Sequence, residues 1–326
     1  MVIQTLLATL ADGQFHSGDG LGASLGVSRT AIWKQLKKVE ELGVQLESIK
    51  GKGYRIPQGL NLLSRQLIES ELTVGAAALI SEIDVQDAIT STNRVAMEKA
   101  LQGGAKGYVC TAEQQSAGRG RRGRAWVSPY AGNIYLSVVW EFSGGASALE
   151  GLSLAVGVAV ADALAKAGVG GVGLKWPNDI LYEDKKLAGI LIEMTGDADG
   201  LCQVVIGVGL NVAMPAKVAA DIDQAWVDVA SINPRAAERN RLLGLVLNEL
   251  MPLLEVFARS GFSVYRDRWA ELDAYLGKTI SIIQGNDITV GCALGIDDTG
   301  AIKIETEQGV RVFNGGEVSL RLAGSL

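Results

Sequence analysis

Apolar positions near the start of the chain recur at helical spacing: Ile3, Leu6, Leu7 and Leu10. Beyond the turn at Asp12-Gly13, Leu21 and Leu25 mark a second short helix, with Ser17 placed to cap it. Gly26-Val27-Ser28 leads into a third helix over about 29–42, with Ser28 as N-cap and Gly43 as a left-handed C-cap. Its apolar stripe is Ile32, Leu36, Val39 and Leu42, and the opposite face presents Arg29, Thr30, Trp33, Lys34 and Lys37. Gly18, Gly20 and Gly22 fall in or beside the second helix, where each interior glycine costs on the order of 1 kcal/mol relative to alanine. That helix should therefore lean on packing. The alternating Val44–Glu47, the turn Lys50–Gly53 and Tyr54–Ile56 predict a hairpin with a basic tip. Three helices and a hairpin make a winged helix-turn-helix, which would set 29–38 in a major groove and Lys50 and Lys52 on phosphates. Pro57-Gln58-Gly59 reads as a linker.

From about residue 65 to 270 strand-like apolar runs alternate with helical ones. The runs predict strands at 108–112, 134–140, 173–176, 187–193 and 204–210, and helices near 65–71, 92–102, 147–168 and 235–259. Short strands then follow at 279–283, 288–295, 301–305, 310–313 and 318–322. They are separated by Gly285-Asn286-Asp287, Asp298-Thr299-Gly300 and Gly315-Gly316. No run approaches the roughly 18–20 uninterrupted apolar residues of a membrane span.

Composition and charge narrow the chemistry. The chain has 326 residues, enough for two or three domains, and 48% hydrophobic with 20% charged residues is globular composition. Three widely spaced cysteines, Cys110, Cys202 and Cys292, form no CxxC pair, which fits a reducing cytoplasm. The single histidine, His16, lies in a polar turn and reads as a solvated side chain. A Ser–His–Asp triad or a His-rich zinc site would have to use it, so chemistry must run on lysine, arginine, carboxylates, amides and backbone groups. Residues 1–57 carry seven basic against five acidic side chains, while the whole chain is −6. A basic module on an acidic body points to a nucleic-acid contact at one end.

The strongest local signal is Ser116–Trp126, with Arg119, Arg121, Arg122 and Arg124 in a glycine frame. Gly118, Gly120 and Gly123 match GxGxxG, but no helix follows, so a dinucleotide fold is rejected. Gly277-Lys278-Thr279 imitates a P-loop, but Leu272 stands where its first glycine belongs. Guanidinium forks suit phosphate oxygens, and packed like charges should keep residues 114–126 mobile until an anion arrives. Ser91 and Thr92 stand at a helix N-terminus. Lys175–Asp179 sets a cation, an amide and a carboxylate around a proline turn. Lys186–Glu193 opens a strand with a lysine at its end. Gly207-Val208-Gly209-Leu210-Asn211 closes another strand where a ligand could approach the backbone, or a strand could pack.

Together these blocks resemble the bifunctional biotin protein ligase and biotin operon repressor family. The matching residues are Ser91-Thr92-Asn93, Gln115 to Arg124 with Trp126, Asn133-Ile134-Tyr135, Lys175–Asp179, Lys186–Gly189 and Gly207–Asn211, in the family's order. Residues 18–43 resemble the repressor's helix-turn-helix. The resemblance implies an α+β protein of three units: a winged helix over 1–60, a class II synthetase-like mixed α/β catalytic domain over 65–272, and an SH3-like β-barrel over 273–326. It implies biotin and ATP as substrates, with Mg²⁺. Biotinyl-5′-AMP forms first, and its biotin then passes to a lysine of the biotin carboxyl carrier protein of acetyl-CoA carboxylase.

The resemblance also implies roles. Ser91, Thr92, Asn93, Gln115, Arg119, Gly120, Arg121, Lys186 and Gly189 would hold biotin. Arg119, Arg121, Arg124, Trp126, Lys175, Asn178 and Asn211 would hold the nucleotide. Lys186, Arg121 and Asp179 would serve catalysis, with Asp179 orienting a lysine, placing Mg²⁺ or activating the amine. Ser28, Arg29, Thr30, Trp33, Lys34, Lys37, Lys50 and Lys52 would contact operator DNA. The metal ligands are left unassigned. A homodimer with biotinyl-AMP bound would pair at a sheet edge near 134–140 or 204–210, with no membrane involved. A ligand-sensing transcription factor without catalysis would leave the arginine block and Lys186 without work. A lipoate or octanoate ligase on a related scaffold is the other alternative, and the arginine block argues against it.

Overall fold

A computed structural model of the chain describes residues 2–196, 200–215, 218, 222–316 and 318–323. At the N-terminus, α1 (Val2–Leu10) buries Leu6, Leu7 and Leu10. Helix α2 (Gly18–Leu25) is capped by Ser17, whose Oγ accepts the Gly20 N–H at 3.0 Å. Helix α3 (Arg29–Glu41) is capped by Ser28, which accepts the Ala31 N–H at 3.2 Å. Ile32, Leu36 and Val39 of α3 are buried, while Arg29, Thr30, Trp33, Lys34 and Lys37 are exposed. The Lys37 ammonium lies 4.0 Å from the centre of the Trp33 ring.

The glycines of α2 are accounted for by close approach. A Cβ at position 22 would lie 2.8 Å from the Val27 carbonyl oxygen, and one at position 20 would lie 2.9 Å from the capping Ser17 Oγ. The helix gives up propensity so that the turn into α3 can fold tightly against it.

Strands β1 (Glu47–Ile49) and β2 (Gly53–Arg55) form the hairpin, with Lys50 and Lys52 exposed at its tip. His16 is not a free turn residue. Its backbone pairs with Tyr54 through two 2.9 Å bonds, and its ring lies 3.0 Å from the Asp12 carboxylate.

Seven strands form the central sheet: β3 (Glu82–Ile89), β4 (Tyr108–Gln115), β5 (Ile134–Ser143), β6 (Val172–Lys175), β7 (Asp179–Tyr182), β8 (Lys185–Gly196) and β9 (Leu201–Leu210). Their order is β3-β4-β5-β9-β8-β7-β6, with only β3 and β4 parallel. Ten helices are numbered in chain order among the described residues. In this unit they are α4 (Arg65–Ser70), α5 (Val74–Ala77), α6 (Thr92–Leu101), α7 (Leu152–Lys166), α8 (Val229–Ile232), α9 (Arg239–Ser260) and α10 (Arg266–Glu271).

Side chains alternate across a strand. Val138, Trp140, Val204 and Ile206 enter the core with α7 and α9, while Val139 and Val205 pack against α6. The stretch Gly145–Lys166 is long and apolar enough to cross a membrane by composition, which the pattern of short apolar runs did not suggest. Most of it is buried inside this core. Strands β3 and β7 escaped the sequence pattern. Edge strand β3 buries only Ile83, and β7 has just four residues.

The expected pairing edges are corrected by this order. Strands β5 and β9 stand in the middle of the sheet, with β9 bonded to β5 on one side and β8 on the other. Strand β9 has no free edge, and β5 is covered by β4 only over 136–138. Likewise, β7 pairs with β8 only as far as Gly189, so the outer side of 191–196 extends past its neighbour.

The last unit is an antiparallel sheet of β10 (Thr279–Gln284), β11 (Asp287–Ile296), β12 (Ile302–Thr306), β13 (Gly309–Phe313) and β14 (Val318–Leu322). Its order is β13-β12-β11-β10-β14, so the ladder stays open between β13 and β14. It shares one core with the central unit: Ile280, Ile304 and Leu320 join the cluster of α7 and α9. The Trp176 indole donates to the Gly300 carbonyl at 3.0 Å.

The linker is bonded along its length. Gly59 turns at φ +66°, and Leu60 donates to Ala11 at 3.0 Å. Ser64 then donates to Asn240 at 2.8 Å, and Leu63 donates to the Glu113 carboxylate at 2.5 Å. Glu113 also pairs with Arg239 at 2.7 Å, and Arg239 is 1% exposed. Arg239 donates further to the Asn61 and Asn133 carbonyls. Breaking a buried pair from one side leaves an uncompensated charge. Arg239→Met should therefore cost about 3–5 kcal/mol, read as a lower urea midpoint. Adding Glu113→Gln should recover part of the loss, because Gln still accepts the Leu63 N–H. A single-variant loss below about 1 kcal/mol would contradict this role.

Candidate active site

The strand alternation that builds the core also builds the site. Tyr135 pairs with Gly209, Ser137 and Leu191 both pair with Gly207, Gly189 pairs with Gly209, and Glu193 pairs with Val205. These positions share the α6 face of the sheet. A cleft of about 680 Å³ lies over this face, bounded by the N-terminus of α6, the arginine loop, the β6–β7 turn and β14. All the candidate residues other than the DNA-contact set line it: Ser91, Thr92, Asn93, Gln115, Arg119, Gly120, Arg121, Arg124, Trp126, Lys175, Asn178, Asp179, Lys186, Gly189 and Asn211.

At the α6 end, Ser91 holds the N-cap position without using its hydroxyl as a cap, and it is buried. The Thr92 N–H donates to Gln115 Oε1 at 2.8 Å, and Gln115 Nε2 donates to Ser128 Oγ at 3.0 Å. Ser137 Oγ lies 2.7 Å from Thr92 Oγ1 and 2.6 Å from Asn93 Oδ1. Asn93 Nδ2 donates to Glu193 at 2.8 Å. The Asn93 amide is thus bonded at both ends, which braces the pocket wall it lines. Asn211 likewise turns its amide N–H groups to the Lys186 and Val227 carbonyls, at 3.3 and 3.2 Å.

The glycines serve the chain's own side chains. A Cβ at position 207 would lie 2.2 Å from Asn93 Oδ1, and one at 209 would lie 2.4 Å from the Trp126 ring. Trp126 therefore lies on a glycine floor, where the sequence left open a ligand or a strand. Its indole N–H is buried and has no partner among the described residues.

The cationic end centres on Asp179. Lys186 Nζ lies 2.7 Å from Asp179 Oδ1, and both side chains are mostly buried. The contact is close but not aligned as a hydrogen bond. Lys175 ends β6 nearby, 5.8 Å from the Tyr275 ring. Burial pushes the Lys175 ammonium below its ordinary value, the Asp179 charge opposes that shift, and Lys186 adds to it. Burial likewise lowers Arg121, again opposed by Asp179.

The arginines do not form one bundle. Arg119 pairs with Glu193 at 3.1 Å. Arg121 donates to Asn178 at 3.0 Å and to the Gly316 carbonyl, and Arg122 donates to Ser319 at 2.8 Å. Sending the guanidinium groups to different anchors relieves the repulsion that led us to expect a mobile loop. In this structure residues 119–126 are pinned to β8 and to the C-terminal unit.

Sequence reasoning missed Ser137, Glu193, Trp226, Ser319 and Arg321. The first two carried a signal: a polar residue inside an otherwise apolar strand. Trp226 follows Ala225, whose carbonyl accepts the Lys186 N–H at 2.9 Å, and no local pattern marks it. No group of three or more His, Cys, Asp or Glu that could hold a metal occurs among the described residues.

The crowding of cations carries a cost that a single variant can expose. Because its folded pKa is depressed, Lys175 opposes folding below its unfolded value, and hence at neutral pH. Lys175→Met should raise the melting midpoint at pH 7 while weakening anion binding in the cleft. The stability gain should shrink as pH rises toward the ordinary lysine range. A lower midpoint at pH 7 would contradict the burial argument.

The family profile for the biotin/lipoate A/B protein ligase family matches residues 85–211. An HTH domain profile matches 3–55, and the biotin protein ligase C terminal domain profile matches 275–321. The bifunctional ligase/repressor BirA of Escherichia coli K12 is 40% identical over 321 residues, covering 98% of this chain and 97% of that protein. Its counterpart from Bacillus subtilis is 30% identical over 320 residues, with 96% of each chain covered. The structure of the Aquifex aeolicus biotin protein ligase in complex with biotin and ATP superposes with a TM-score of 0.64 at 26% identity. It spans 75% of this chain and all of that one. Near-complete coverage at this identity shows that the chain belongs to the family of bifunctional biotin ligases and repressors.

Proposed function

We propose that the chain joins biotin to ATP, passes biotin to a lysine of a biotin carboxyl carrier protein, and represses a biotin operon when biotinyl-5′-AMP is bound. The observation that carries this reading is the cleft itself: Lys186, Lys175 and Arg121 gathered about Asp179, beside a pocket lined by buried Ser91 and Thr92. A carboxylate oxygen of biotin attacks the α-phosphorus, the bond to the bridging oxygen breaks, and pyrophosphate leaves. A lysine amine then attacks the acyl carbon of the mixed anhydride, losing a proton, and AMP leaves. The substrates supply both nucleophiles. The protein's work is to bring two anions together and offset their repulsion.

Ser91, Thr92, Asn93 and Gln115 hold the polar head of biotin beside Gly189, with Ser137 bracing them. Arg119, Gly120, Arg121 and Lys186 take the carboxylate and phosphoryl oxygens. Arg124, Trp126, Lys175, Asn178 and Asn211 enclose the nucleotide. The 2.7 Å contact supports a role for Asp179 in holding Lys186. Mg²⁺ would arrive on the phosphates of ATP, since the cleft supplies no dedicated ligand set among the described residues. We take 1–60, 65–272 and 273–326 as the working units and place the protein in the cytoplasm, where its three unpaired cysteines stay reduced.

For DNA, exposed Arg29, Thr30, Trp33, Lys34 and Lys37 face a major groove, with Ser28 at the helix N-terminus. Lys50 and Lys52 reach phosphates. One reading helix grips one half-site, so operator binding calls for a homodimer. The outer side of β8 over 191–196 is one edge open for strand pairing.

Two measurements check this reading on the full chain. Biotin, ATP and a carrier domain should together give a carrier one biotinyl group heavier, and leaving out either small molecule should abolish the gain. Lys34→Ala should weaken operator binding by about 1–3 kcal/mol at fixed salt if it reads a base, and leave carrier labelling unchanged. No mass gain with both substrates present would refute the ligase reading. Operator affinity indifferent to biotin plus ATP would refute the coupling.

A further inference from the structure

Glu193 has no place in the roles above, yet it joins the two parts of the site that must act together. It sits on the α6 face of β8, opposite Val205 of β9. One carboxylate takes two donors: Asn93 Nδ2 at 2.8 Å, and Arg119 Nη2 at 3.1–3.2 Å. Asn93 is buried, so its amide cannot turn to another partner without leaving a polar group unsatisfied. From Asn93 the chain of bonds continues through Ser137 to Thr92, then to Gln115 and Ser128.

Gln115 and Ser128 stand at the two ends of the arginine loop. The loop's own bonds run from Gly120 N–H to the Arg124 carbonyl and from Trp126 N–H to the Gly118 carbonyl. In an antiparallel pair of that kind the Arg119 N–H points outward from the ladder. Glu193 engages the Arg119 side chain through Nη2, and the residue also presents this backbone donor to a bound anion.

We infer that Glu193 is a positioning residue, a latch that ties Arg119 to Asn93 and so holds the arginine loop closed over bound biotinyl-AMP. The inference deepens the reading of the site proposed above and rests on it. Glu193 is not among the residues that line the cleft. Its carboxylate fixes where the Arg119 backbone lies, and the same oxygen reports the packing of the head-group pocket through Asn93. Since Arg119 is half exposed, the ion pair is worth little more than a surface pair, and the effect should be modest.

The test uses full-length protein loaded with labelled biotin and ATP, then chased with unlabelled biotin. Glu193→Gln can still accept from Asn93 but loses the charge facing Arg119. It should release biotinyl-AMP about two- to fivefold faster and raise the biotin KM by a similar factor. The rate of adenylate formation at saturating biotin should stay within about twofold, because a latch acts on retention and not on the chemical step. Glu193→Asp, which keeps the charge on a shorter stem, should fall between. In an Arg119→Gln background the Glu193→Gln change should have no further effect. Unchanged release by Glu193→Gln, or an equal effect in both backgrounds, overturns the latch. A wild-type chain that forms no biotinyl-AMP overturns the reading of the site as a whole.

Discussion

Several cations share one carboxylate at the closed end of the cleft, and much of the structure serves to hold them there. Lys186 touches Asp179, and Lys175 and Arg121 feel its charge while burial lowers both. Such an arrangement is unfavourable until an anion arrives, because like charges repel more strongly as solvent is withdrawn. The fold offsets this with covalent and hydrogen-bonded restraint. Lys175 and Asp179 face each other across the β6–β7 hairpin, and the Lys186 backbone is held by Ala225, Val227 and Asn211. The Arg119 and Arg122 guanidinium groups are sent outward to separate anchors.

The three units depend on one another for the same reason. Segment 126–133 begins with Trp126 on the glycine floor and ends with Asn133, whose carbonyl accepts from Arg239. Between them, Tyr130 and Ala131 pack into the hydrophobic cluster of the N-terminal unit. The site and the DNA-reading unit are therefore joined by eight residues of continuous, bonded chain. At the other end, Arg121 and Arg122 reach Gly316 and Ser319. The C-terminal sheet forms one wall of the cleft.

Much of the fold was legible because it rests on periodicity. The stripe of α3, its Ser28 cap and the apolar runs of β5 and β9 follow from spacing alone. The site was legible as a set of residues but not as a set of contacts. Asn93 and Gly207 stood out singly, and only the structure shows that one packs on the other. Gly209 was conspicuous, yet its partner Trp126 lies 83 residues away. Edge strand β3 was missed because a strand buried on one side with Asp84, Gln86 and Asp87 along it has no apolar run to announce it. The pairing edges were misplaced because apolar strength marks the centre of a sheet, where strands are covered on both faces.

Biotin-dependent exchange of labelled pyrophosphate into ATP tests most directly whether fixed positive charge beside Asp179 drives adenylate formation. Lys186→Met keeps the aliphatic stem and removes the charge. Exchange should fall by about 10²-fold or more while the fold stays intact. Full exchange by Lys186→Met would contradict the account at its centre.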